Sequence, residues 1–96
     1  MNIKLALKAV YYDLIAKGLK TYEYRDITDY YIRRLTKDNK YTPGEEPNYA
    51  PIDSVTFFCG KDPKRPAMTY EVKKIKLWPE GKNPTHFVLC LGKKKS

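Results

Sequence analysis

Gly18-Leu19-Lys20-Thr21-Tyr22-Glu23-Tyr24-Arg25-Asp26 is a run in which a helix stop passes directly into a strand. Ahead of it, Val10, Tyr11, Leu14 and Ile15 recur at helical spacing over Ala9–Lys17, and Gly18 supplies the left-handed residue that commonly ends a helix. Behind it, alternation puts Thr21, Glu23 and Arg25 on one strand face and Tyr22 and Tyr24 on the other. A hydroxyl, a carboxylate and a guanidinium on one strand face form either a structural ion pair or an array for a polar ligand. The helix is expected to lay its Val10/Leu14 stripe on a sheet containing this strand.

Working outward, Ile3, Leu5 and Leu7 alternate with Asn2, Lys4 and Ala6 and read as a first strand. Thr28-Asp29 is a helix start, with the threonine hydroxyl as N-cap and the carboxylate in the first turn. Tyr31, Ile32 and Leu35 give that helix a narrow apolar stripe, and Arg33 and Arg34 fall in its last turn, where cations are favoured. Residues 36–51 carry Pro43, Gly44, Pro47 and Pro51 around an acidic Glu45-Glu46, and loops this long are lids, binding loops or disordered segments. A third strand is expected over Ile52–Cys59, a fourth over Ala67–Leu77 and a last one over His86–Leu91, which is apolar on both faces and so enclosed. In the fourth, Met68, Tyr70 and Val72 share one parity while Ile75 and Leu77 have the other. That slip predicts a β-bulge at Lys73-Lys74, the device by which a small sheet bends. Residues 93–96 read as a frayed basic tail. The order β-α-β-α-β-β-β therefore predicts one α+β domain over residues 1–96, a small, mostly antiparallel β-barrel with two helices near one end.

Composition narrows the partners. The net charge is +8, from 19 basic and 11 acidic side chains, with three of the positive charges in Lys93–Lys95. Such a surplus favours polyanions, and nine tyrosines offer surface on which bases stack, although tyrosine is also a good strand residue. Cys59 and Cys90 lack metal-ligand spacing and read as buried thiols, and the single His86 has no visible partner, so neither a metal nor another cofactor is expected. The chain has no apolar run of membrane-spanning length and its first residues do not read as a signal peptide. A cytoplasmic protein without a membrane partner is the expectation.

The candidate site residues follow from side-chain chemistry. Arg25 offers planar bidentate donors for phosphate or a base edge, Glu23 accepts from an exocyclic amine, and Lys20 reaches from the helix stop on a long stem. Arg33 and Arg34 add cations, and Tyr30 and Tyr31 add stacking rings. Lys20, Thr21 and Glu23 are also the residue types of an activated-nucleophile arrangement.

The motif Gly18-x-Lys20-Thr21-x-Glu23-x-Arg25 resembles the signature of the ASCH domain family, a branch of the PUA-like barrels related to YTH domains. Tyr11-Tyr12-Asp13-Leu14-Ile15 resembles the family's YFDLI helix, and Asp29–Leu35 is similar to its PYWxxRL segment. Asp53–Gly60 resembles its D-x-V-x-F-x-N-G strand, and Met68–Val72 the strand after it, so nearly the whole chain is covered. The resemblance implies a small barrel with a cleft between barrel and helices that binds RNA or nucleotides. It also implies an alternative, because some members hydrolyse N4-acetylcytidine and others are described as ribonucleases. By match, Lys20 corresponds to the amidohydrolase lysine. Glu23 stands where that enzyme has its threonine nucleophile, Thr21 matches a neighbouring threonine, and Cys59 replaces an asparagine at the cleft edge.

Overall fold

The computed structural model describes residues 1–96, in the order β1 (Asn2–Leu7), α1 (Ala9–Ala16), β2 (Tyr22–Asp26), α2 (Asp29–Leu35), β3 (Ser54–Cys59), β4 (Met68–Trp78) and β5 (His86–Lys94). The strands form one sheet, β1-β3-β4-β5-β2, in which β1 pairs parallel with β3 and the other three pairings are antiparallel. This α+β fold is a mixed sheet curled into a half-barrel, with two helices. No helix is long and apolar enough to cross a membrane.

The inward face follows the alternation of β1, where Ile3, Leu5 and Leu7 are buried and their neighbours exposed. These residues join Val55, Phe57, Met68, Tyr70, Phe87 and Leu89 in one core. β5 lies between β4 and β2, and all of Phe87–Leu91 is buried, as its two-sided apolar pattern requires. The parity slip in β4 is real: its register against β5 shifts between Tyr70 and Val72 and again between Val72 and Lys74. These irregularities bend the strand at the point where the sheet curls.

Two expectations need correction, and a third, the long loop, is narrowed. Helix α1 buries Tyr12 and Ile15, whereas Val10 is exposed and Leu14 only half-buried. Apolar residues lie on several sides of this short helix, so their spacing alone did not select the buried face. The chain after Leu91 is not frayed. β5 runs to Lys94, and the Lys95 N–H donates to Thr69 O (2.6 Å) while the Thr69 N–H donates to Ser96 O (3.0 Å). The shifted β4 register brings Tyr70 opposite Lys94, which extends the ladder by several residues. Residues 36–51, finally, are tied shut at their base. Thr36 bridges Tyr49, the Lys37 N–H donates to Asn48 O (2.8 Å), and the Ala50 N–H donates to Leu35 O (2.9 Å). Tyr49 and Ala50 pack on the core and Tyr41 sets its ring edge-on to Phe87, while Glu45 and Glu46 at the tip are solvated.

Candidate functional site

β1 and β2 are the two edges of the sheet, and no strand pairing joins them. Two arginines span the opening instead. Arg25 of β2 donates from Nη2 to Ala6 O (2.9 Å), and Arg34 of α2 donates from Nη2 to Lys4 O (3.1 Å). Residues two apart on a strand aim their carbonyls at the same edge, so the guanidiniums occupy successive acceptors that an added strand would otherwise use.

The short segment before β2 sets up the site. At the end of α1 the Gly18 N–H donates to Ile15 O (3.0 Å) and the Leu19 N–H to Leu14 O (2.9 Å), the double closure of a Schellman turn. Gly18 takes φ +74°, and a Cβ built there would meet nothing within 4 Å. Gly18→Ala should therefore cost about 1–2 kcal/mol through backbone strain alone, measured as a lowered urea midpoint. Gly18→Asn should cost less. Equal stability of Gly18→Ala and wild type would contradict this account.

Once the chain has turned, Glu23 and Arg25 point inward and Tyr22 and Tyr24 outward. Glu23 is 6% exposed. Its Oε1 accepts from Lys20 Nζ (2.6 Å) and its Oε2 from Arg25 Nη2 (2.8 Å). Arg25 Nη1 donates to the Tyr31 hydroxyl (2.8 Å), while its Nε is buried without a partner. Lys20 also donates to Tyr22 O, and its ammonium lies 5.6 Å from the Tyr11 ring centroid and 5.8 Å from that of Tyr24. The carboxylate is thus clamped by two cations, and the lysine is held between two aromatic faces.

These groups form the wall of an open cleft of about 960 Å³. Lys8 and Tyr11 flank it on the side of β1 and α1, and Thr21, Tyr24 and Tyr31 flank it on the side of β2 and α2. Thr21 stands exposed at the rim. Of the cleft's two carboxylates, Glu23 is clamped, and Asp26 is 3.0 Å from His86 Nε2.

The other sequence-derived candidates lie outside this wall. Tyr30 and Arg34 hold each other, with Arg34 Nη1 donating to the Tyr30 hydroxyl (2.6 Å), and the Tyr30 ring meets Tyr31 edge-on at 4.9 Å. Arg33 is exposed and faces a separate hollow with Asp29, Asn39 and Lys40. Lys8 and Tyr11 were not among the candidates. Tyr11 could have been found from its place about two turns ahead of the helix stop, whereas Lys8 carries no signal beyond its position between a strand and a helix. Compared with protein-family models, with curated proteins and with solved structures, the chain matches none.

Proposed function

We propose that this protein is a nucleic-acid-binding module, an ASCH-like member of the PUA-like barrels, that takes single-stranded or modified RNA, or a nucleotide, in the cleft between β1 and β2. One observation carries the reading: cations and aromatic faces converge on a single opening, with Lys8, Lys20 and Arg25 among Tyr11, Tyr24 and Tyr31. Phosphate is recognised by the cations and a base by the rings. The cleft is also of the size that accepts a small ligand.

The arrangement supports binding over hydrolysis. Both Glu23 oxygens are engaged, and the Lys20 ammonium acts as a donor to Glu23 and Tyr22, which leaves no free base beside Thr21. Labelled single-stranded RNA should bind with an affinity that falls as salt rises. About three phosphate contacts give a log–log slope near −2, or roughly a twentyfold loss between 50 and 200 mM salt. Lys20→Ala should weaken binding by about tenfold, the scale of one charge-assisted contact. No affinity at low salt, or affinity indifferent to salt, would defeat the proposal.

A further inference from the structure

The outer face of the sheet has no element packed on it, yet it is not an ordinary polar surface. Three strands set their outward residues in register there. Lys74, Cys90 and Tyr22 form one row, Lys76, Val88 and Tyr24 the next, and Trp78, His86 and Asp26 the third. Val88 and Cys90 are buried beneath their neighbours although they lie on the face away from the core. Three rings stand over them about half exposed: Tyr22 at 45%, Tyr24 at 43% and Trp78 at 45%. Tyr24 is 5.6 Å from Trp78 and 6.1 Å from His86, and the Lys76 ammonium lies 5.4 Å from the Tyr22 ring.

Charge selects the occupant. Lys74 and Lys76 make no ion pair within these rows, although Lys76 also borders a hollow with Glu45, Glu46 and Glu80, while Asp26 is paired with His86 and Glu71 lies against Gly92 beyond the rings. Rings on a pleated face beside lysines suit bases that stack while phosphates are neutralised, and every base has a face that can stack. An acidic peptide would use the lysines but leave the rings idle. Tyr22, Tyr24, Asp26 and His86 belong both to this face and to the cleft, where Tyr24 flanks Lys20, so the two surfaces are continuous over the edge of β2.

We propose that the outer face of β2, β5 and β4 is a stacking platform for single-stranded nucleic acid that shares its β2 edge with the cleft and extends beyond it to Trp78, Lys74 and Lys76. Its ligand class is the one proposed for the cleft, but its binding does not require the cleft to be occupied.

Trp78 is the only tryptophan in the chain, so its emission reads this face directly. Titrating the full-length protein with a ten-nucleotide uridine RNA should quench Trp78 saturably. Trp78→Leu should weaken the same RNA, followed by the anisotropy of a labelled copy, by about tenfold, the size of one base–ring stack. A urea midpoint equal to that of wild type would show that this variant is folded. Saturable quenching in Lys20→Ala, shifted by no more than the roughly tenfold expected of the lost cleft contact, would support the platform, whereas loss of the quenching in that variant would assign the signal to the cleft and overturn it. Salt-dependent RNA binding with unchanged Trp78 emission and full affinity in Trp78→Leu would overturn the platform and leave the cleft standing. Emission that shifts with protein concentration alone, together with a dimer in sedimentation, would assign the face to a second copy of the chain and overturn the proposal as well.

Discussion

Arg25→Met should lower the folding free energy by about 3 kcal/mol, a large effect for a polar residue in a domain of this size. The side chains of Arg25 and Glu23 are 16% and 8% exposed, so the pair is largely removed from water. Losing the guanidinium leaves the carboxylate with Lys20 alone, and it strips a donor from both Ala6 O and the Tyr31 hydroxyl. Breaking one half of a buried pair costs more than removing both halves, because the surviving charge has already lost its hydration. Glu23→Leu combined with Arg25→Met should therefore recover most of the loss. Urea unfolding of wild type, both single variants and the double variant closes the cycle. Two mild and additive single effects would mean that the pair is solvated and contributes little. The same variants separate structure from binding. If Glu23 serves only to hold the cations in place, the double variant should be near wild type in stability yet still bind RNA less tightly than wild type.

Phe87→Ala should cost about 3–5 kcal/mol, the range for truncating a buried aromatic. Phe87 is fully buried in β5, lies opposite Arg25 on β2 and Leu77 on β4, and meets the Tyr41 ring edge-on. It therefore supports the cleft wall from below and the long loop from inside. The cavity removes contacts from both, so the loss of stability should come with faster proteolytic cutting within residues 36–51. Limited proteolysis under conditions where the variant is still folded would test the second effect. Unchanged cutting would mean that the backbone bonds at the base of the loop hold it without Tyr41. A change in stability below about 1 kcal/mol would mean that the site repacks around the deletion, contrary to the close packing expected of a core.

Much of the fold was legible because it rests on local rules. The alternation of β1 matched its burial residue by residue, Gly18 ended α1 with a positive φ, and the Thr28 hydroxyl accepts from the Tyr31 N–H at 3.4 Å as an N-cap. The bulge in β4 was visible as a change of parity, since one extra residue flips every later side chain. The buried face of α1 was not legible, because apolar residues occupy several of its sides. Nor was the extension of β5 to Lys94, since a glycine and two lysines carry no strand signal of their own and are held by a partner strand.

The candidate site divides along the same line. Alternation alone put Glu23 and Arg25 on one face and Tyr22 and Tyr24 on the other. It did not say which face turns inward, and by hydropathy the tyrosines were the better choice. The neighbours decide it: Lys20 and Tyr31 satisfy the charged pair from two helix-linked segments, and Ala6 O on β1 accepts the remaining guanidinium donor. These partners come from elsewhere along the chain and are adjacent only because the half-barrel brings its edges together. Local spacing thus determined the elements, their caps and the pairing of faces. The tertiary structure alone decided that the polar face is inside and that an aromatic, basic face is left outside, because burying a charge depends on partners that local sequence does not show.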